Sequence, residues 1–218
     1  GWSRPQWLVD HWRASLEEAS LLRLLEWNNT PPPVWARVNT LRNTPEELTA
    51  RWTAEGVIFH GREVDWAPGS QMFELQTHPY LPSMASFISG GFYVQDHSTL
   101  LAVQTLDPQP GETVLDACAA PGGKATYIAQ RMSNSGRIVA HDPEAARLDL
   151  LRENCERLGV TVVESTTELP GEAPVFDRVL VDAPCSNTGV LRRRVESRWR
   201  LIPEELGRLA DRQLAILS

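Results

Sequence analysis

The chain has few cysteines, and they are not arranged for structural work. Cys118, Cys155 and Cys185 are an odd number, with no CxxC pair and no His-rich grouping. A disulfide framework and a zinc site are therefore not indicated, and thiols in a reducing compartment fit the pattern. Long apolar stretches are lacking too: no run approaches the roughly 18 residues of a membrane span, and no signal peptide opens the chain. The expectation is a cytoplasmic monomer without membrane contact. Positive charge is scarce in sum, with a net charge of −7, which argues against a broadly basic surface for nucleic acid. Lysine is almost missing, Lys124 being the single one. Neither Gly-x-Gly-x-x-Gly nor Gly-x-x-x-x-Gly-Lys-Ser/Thr occurs, so the dinucleotide and nucleoside-triphosphate signatures are absent.

What is present is an ordinary globular balance, 42% hydrophobic and 22% charged over 218 residues, enough for one large domain or two small ones. Leu8, Trp12, Leu16, Ala19, Leu22 and Leu25 recur at helical spacing and predict helical packing over 2–27, closed by Asn28-Asn-Thr-Pro-Pro-Pro33. A strand is expected over 34–41. A helix capped by Thr44, with Pro45 in its first turn, should run to about residue 55 and end at Gly56. Short strands follow near 57–59, 72–75 and 91–94. The eight tryptophans, most of them before residue 67, read as core or helix-face material rather than base-stacking platforms. From residue 107 the pattern becomes regular: strand 113–117, helix 122–132, strand 137–141, helix 143–158, strands 160–163 and 178–181, and helix 203–217. That last helix carries Leu206, Leu209, Ala210, Leu214 and Leu217 on one face. Such alternation implies an α/β fold with a parallel, doubly wound sheet. The domains expected are a helical segment over 1–30, a small α+β domain over 31–90 and an α/β domain over 91–218.

Two motifs stand at strand ends, where open α/β sheets bind ligands. The first is Asp116-Ala-Cys-Ala-Ala-Pro-Gly-Gly-Lys124. Its small residues Ala119, Ala120, Gly122 and Gly123 let backbone approach a ligand, and Gly122 opens a helix whose amides can hold an anionic group. Asp116 would repel a pyrophosphate and attract an ammonium. An amino-acid moiety satisfies both, and S-adenosyl-L-methionine carries one. Asp142, twenty residues after Gly122 and at the end of the next strand, is placed to accept hydrogen bonds from ribose hydroxyls. The plainer alternative is a tight turn followed by a helix-capping Asp.

The second motif is Asp182-Ala-Pro-Cys-Ser-Asn-Thr-Gly189. A buried cysteine is usually an inert small hydrophobe, but Cys185 follows a proline past a strand end, where a thiolate can meet a substrate. Asp182 can hold a proton or orient a ring nitrogen. Amino-group methyltransferases place an aromatic residue after Asp/Asn-Pro-Pro at this position, and here the aromatic is missing. Carbon 5 of a pyrimidine becomes nucleophilic only when a thiolate adds at carbon 6, which is chemistry that needs a cysteine. Cys118 is expected to pack in the first turn, and Cys155 to be structural in mid-helix. Arg192, Arg193, Arg194, Arg198 and Arg200 fall within nine residues and form the densest basic segment. Their position beside the second motif reads as a phosphate-contacting loop, against the plainer reading of a solvated run.

At these residues the chain resembles the Nol1/Nop2/Sun family of RNA (cytosine-5) methyltransferases, most closely its bacterial Sun-type branch acting on 16S ribosomal RNA. The resemblance covers nearly the whole chain. It is carried by Tyr93-Val-Gln-Asp-His-Ser98, by residues 116–124, by Asp142 with the helix 147–159, and by 176–189 with the arginines that follow. It implies a Rossmann-like class I methyltransferase sheet, truncated at its C-terminal part and preceded by a small α+β RNA-recognition-like domain that starts at Trp35-Ala-Arg-Val-Asn-Thr-Leu41. It implies ribosomal RNA as partner and S-adenosyl-L-methionine as cofactor, bound by Asp116, Cys118, Ala119, Ala120, Pro121, Gly122, Gly123, Lys124, Asp142 and Asp182. The catalytic candidates are Cys185 and Asp182. The family places an Asp near the adenine at the end of the third strand, where this chain reads Glu164-Ser-Thr-Thr-Glu-Leu169. Its nucleophile lies in a later Thr/Ser-Cys-Ser motif, while the Pro-Cys cysteine matched by Cys185 assists release from the methylated base. The chain, starting without Met and stopping in an apparent helix, is expected to be a piece that ends before that later motif. DNA cytosine methyltransferases instead use the Pro-Cys cysteine as nucleophile. Two alternatives stand beside this reading: methylation of another target such as an exocyclic amine, and a noncatalytic RNA-binding or ribosome assembly factor that keeps the fold.

Overall fold

The computed structural model describes residues 4–62, 72–169, 171 and 175–217. Its contacts group the chain into two compact units, Gly1–Pro32 with Ala183–Ser218, and Pro33–Asp182. The N-terminal helical pattern resolves into two helices, α1 (Gln6–Arg13) and α2 (Glu18–Trp27). Val9, Leu21 and Leu25 bury their side chains together, with Trp12 and Leu16 packed against them.

In the unit Pro33–Asp182 the first sheet is built from β1 (Val34–Val38), β2 (Ile58–Arg62), β3 (Met72–Thr77) and β4 (Phe92–Val94). It is antiparallel, in the order β2-β3-β1-β4. Helix α3 (Pro45–Ala54) joins β1 to β2, and the short α4 (Ala85–Ile88) precedes β4, giving the βαββαβ succession of a ferredoxin-like fold. Helix α3 starts as its sequence demands. The Thr44 hydroxyl accepts from the Glu47 amide (3.2 Å), and the Glu47 carboxylate accepts from the Thr44 amide (2.9 Å). Trp52 of α3 is fully buried against Phe59, Phe73 and Phe92, with ring centroids 5.2 to 5.4 Å apart. Trp35 is buried as well, so both serve as core, whereas Trp27 and Trp199 stay about 60% exposed. The expected strand over 34–41 ends early because Asn39 turns its side-chain amide to the carbonyls of Gly90 and Leu158, each at 2.8 Å. Helix α4 went unread because its four residues are too few to show a period.

The second sheet follows α5 (Leu100–Leu106). It contains β5 (Thr113–Asp116), β6 (Arg137–His141), β7 (Val163–Thr166) and β8 (Arg178–Leu180), all parallel, in the order β7-β6-β5-β8. Helices α6 (Gly123–Arg131) and α7 (Ala145–Leu158) connect them. One expectation is corrected: β7 lies three residues later than 160–163. Gly159 ends α7 at φ +73°, and the Val160 amide returns to the Cys155 carbonyl at 2.8 Å. Val160 is thus spent as the buried residue of a helix cap, and pairing with β6 begins at Val163. The strand order reverses direction between β5 and β8, which makes their carboxyl ends the switch point of the sheet.

Arg37 of β1 joins the two sheets. Fully buried, it donates to Gln95 Oε1, to the Gly123 carbonyl (2.9 Å) and to Thr126 Oγ1 (3.1 Å), and its guanidinium stacks over Tyr127 and Tyr93. Burial lowers its pKa to about 10, so it stays charged at neutral pH. Arg37→Met should leave the buried Gln95 Oε1 unpaired and remove the bonds to Gly123 and Thr126, and urea unfolding should show a loss of about 2–4 kcal/mol. A loss below about 1 kcal/mol would mean that water replaces the guanidinium without penalty.

The unit that contains α1 and α2 resumes at Ala183 and carries α8 (Ser197–Arg200) and α9 (Pro203–Leu217). Arg198 is buried and satisfies the end of α2, donating to the Asn28 carbonyl (2.5 Å), Asn29 Oδ1 (3.2 Å) and the Leu191 carbonyl (3.2 Å). The apolar face expected on α9 is only partly covered, since Leu214 and Leu217 remain exposed. No helix among the described residues is long and apolar enough to cross a membrane.

Candidate functional site

Asp116 closes β5 with no exposed surface, and neither carboxylate oxygen completes a hydrogen bond with a described residue. Desolvation raises its pKa to about 7, while the Cys118 amide and the Lys124 charge pull the other way and Asp182 and Asp142 add to the rise. A buried carboxyl without a partner is costly to keep. At the switch point such a carboxyl can take a cation.

The turn after Asp116 is held from below. The Ala119 amide donates to the His141 carbonyl, and His141 Nδ1 lies against the Ala117 carbonyl, both at 2.8 Å. Ala119 and Ala120 are buried, and the Ala120–Pro121 peptide is cis. Gly122 takes φ +105°, with Leu151 3.2 Å from where a Cβ would stand, so a side chain would be both strained and crowded. Helix α6 begins at Gly123, and its unpaired first amides face the loop end. Lys124, in its first turn, reaches Asp182 Oδ2 at 2.5 Å. The single lysine is therefore the cation that couples the first motif to the second. Cys118 is only partly exposed.

Asp142, just past β6, is 2% exposed. The Glu144 amide donates to its Oδ1 (3.1 Å), and Arg147 Nη1 pairs with its Oδ2 (3.0 Å) while Nη2 donates to the Ala120 carbonyl (2.9 Å). Arg147 thus ties the acidic strand end to the glycine-rich turn. Reading the sequence gave it no role, although a basic residue opening the helix after an acidic strand end was a usable signal. Thr166 ends β7 opposite His141 and turns its hydroxyl to the backbone of Glu168.

In the other unit, Cys185 is exposed. The Asn187 amide donates to its sulfur at 3.4 Å, and Asn187, at φ +57°, donates from its side chain to the Cys185 carbonyl at 3.2 Å. Cys155 is buried in α7, and its thiol is pushed up to about 11 by burial, which fits a structural role. Of the arginine run, Arg192 donates to the carbonyls of Thr30 (3.0 Å) and Pro31, and its guanidinium lies 4.0 Å from the Trp27 ring centroid. Arg193 and Arg194 are exposed.

Comparison with known proteins adds a second line. Residues 103–218 match the family described as 16S rRNA methyltransferase RsmB/F, and residues 4–68 match the ferredoxin-like domain of RsmF/B-like methyltransferases. The probable ribosomal RNA small subunit methyltransferase B of Bacillus subtilis is 35% identical over 221 residues, covering 99% of this chain and 48% of that protein. Ribosomal RNA small subunit methyltransferase B of Vibrio cholerae is 35% identical over 222 residues, 100% of this chain and 50% of that protein. The crystal structure of PH0851 superposes with a TM-score of 0.90 at 30% identity, covering 99% of this chain and 49% of the other. The chain spans about half the length of the curated relatives it matches.

Proposed function

This chain belongs to the 16S rRNA methyltransferase RsmB/F family, and from that premise we propose that it serves S-adenosyl-L-methionine-dependent methylation of cytosine carbon 5 in ribosomal RNA, in the cytoplasm, through a cysteine-linked intermediate. The observation that carries the cofactor half is Asp116, a fully buried carboxyl with no ion-pair partner among the described residues, at the switch point of a parallel sheet. It fits the ammonium of the methionine part, and the first amides of α6 fit its carboxylate. Asp142 holds the ribose, with Arg147 fixing the carboxylate's orientation. The polar edge near Thr166 is left for the adenine. When bound, the cofactor supplies an electrophilic methyl group.

The chain's own part in the chemistry falls to Asp182 and Cys185. Asp182, half exposed and neutralised by Lys124, orients the pyrimidine ring through its nitrogen edge. A thiolate that has added at carbon 6 makes carbon 5 nucleophilic; after methylation the carbon 5 proton must leave and the sulfur be expelled. In the family's division of labour that release step is assigned to Cys185. Arg193 and Arg194 contribute RNA phosphate contacts, and Arg192 joins them while anchoring the loop to the end of α2.

Digestion of small-subunit ribosomal RNA to nucleosides after incubation with the full-length protein and cofactor should yield 5-methylcytidine. An N4-methylated product would move the target to the exocyclic amine, and absence of both cofactor binding and product would leave a noncatalytic RNA-binding protein. For the cofactor site, Asp142→Ala should weaken S-adenosyl-L-methionine binding by about 1–3 kcal/mol in a calorimetric titration. Unchanged affinity would sink the ribose assignment.

A further inference from the structure

Between the loop that carries Cys185 and the start of α9 lies a cleft of about 290 Å³. Cys185 lines it, Leu201, Ile202 and Leu209 supply its apolar surface, and Arg200 and Glu205 supply its charges. The two charges are not equivalent. Glu205 is ion-paired to Arg208 at 2.5 Å, which offsets it. Arg200 makes no hydrogen bond or ion pair with any described residue. Its neighbours differ: Arg192 is held by Thr30, Pro31 and Trp27, and Arg198 is buried on Asn28, Asn29 and Leu191. Of these three arginines, Arg200 is the one that lines the cleft, and the exposed Cys185 lines it as well.

A planar fork of donors, an apolar wall and an exposed thiol in one cleft match a single nucleotide: phosphate on the guanidinium, ring against the aliphatic side chains. The volume lies at the lower end of the roughly 300–1,000 Å³ of small-molecule sites, enough for one nucleotide and too small for a base pair. We propose that this cleft takes one unpaired pyrimidine nucleotide of the RNA substrate, with Arg200 holding its phosphate and so bringing the ring alongside the Cys185 sulfur. The inference rests on the methyltransferase reading and names the residue that positions its substrate.

The test is protection of Cys185 from iodoacetamide in the full-length protein, followed by mass spectrometry of the Cys185 peptide, with the buried Cys155 as internal reference. A single-stranded cytidine hexanucleotide should slow alkylation at least fivefold, and free cytidine should not. Arg200→Gln should remove the protection and lower the salt slope of hexanucleotide binding by about 0.7, the contribution of one single-strand phosphate, while Arg212→Gln, outside the cleft, should keep both. Equal protection of wild type and Arg200→Gln, or no protection by the hexanucleotide, overturns the proposal. Protection by inorganic phosphate as strong as that by the hexanucleotide also overturns it, by marking a free-anion site. A protein that forms 5-methylcytidine without Arg200-dependent protection loses this inference and keeps the methyltransferase reading. Arg200-dependent protection with methylation at N4 keeps this inference and moves the target from carbon 5 to the exocyclic amine.

Discussion

Cys185→Ala in the full-length protein is expected to abolish turnover and to accumulate a covalent protein–RNA complex that survives a denaturing gel. The reasoning starts from exposure and geometry: the thiol is accessible, on a loop shaped by the Asn187 amide and by Asn187 in a left-handed conformation. If another cysteine attacks carbon 6 and Cys185 serves release, the alanine variant still adds and still methylates. It then cannot expel the sulfur, and labelled RNA stays on the protein in the presence of cofactor. If Cys185 is itself the attacking thiol, the same variant forms no adduct. A gel lane with labelled RNA and no shifted band would therefore transfer the nucleophile's role to Cys185 and refute the release assignment.

A second large effect concerns Asp116 and pH. Its carboxyl titrates near 7 in the folded protein and near the ordinary 3.8 when unfolded. Between those values the native state keeps a proton that the unfolded state has lost. This contribution to stability is therefore largest at the acid end of the window and falls as pH rises towards 7. Measured against Asp116→Asn, which does not titrate, the wild type should lose about 2–4 kcal/mol of unfolding free energy between pH 4.5 and pH 8. The comparison with the variant removes the opposite, acid-side trends of Glu112, held below the usual carboxylate range by the Gln109 amide and Arg178, and of Glu164, held there by Arg137. An ammonium-bearing ligand reverses the preference, because it stabilises the ionised carboxylate. S-adenosyl-L-methionine should accordingly bind more tightly as pH rises from 6 to 7.5, with release of a proton seen as buffer-dependent binding heat, and Asp116→Asn should bind weakly with no such dependence. Parallel pH profiles for wild type and variant would refute both the buried-proton argument and the ammonium contact.

Much of this was readable from local pattern. The capping box at Thr44 and Glu47, the glycine-rich turn into α6, the regular βα alternation and the placement of Asp116, Asp142 and Asp182 at strand ends follow from short-range chemistry. Period, cap and turn residues act within a few positions, so they can be read without a fold. The same locality explains the errors. Val160 looks like a strand residue because it is β-branched and apolar, but a helix cap claims it, and the competition between cap and strand is settled by where β6 lies. The short α4 leaves no periodic trace.

The amino-acid sequence by itself determined that this chain would build a small α+β unit and a parallel α/β sheet and would display acidic strand ends and a Pro-Cys motif, because backbone preferences and side-chain types suffice for those outcomes. Only the tertiary structure decided which of those groups act on one another. It paired Lys124 with Asp182 across 58 positions of chain, placed Arg37 of the first sheet against the start of α6, and buried Asp116 with no ion-pair partner among the described residues. It also separated the arginines into those spent on backbone carbonyls, Arg192 and Arg198, and Arg200, which faces a cleft. Burial and pairing depend on distances between residues far apart in sequence, and in the sequence a buried arginine and a solvated one are the same letter.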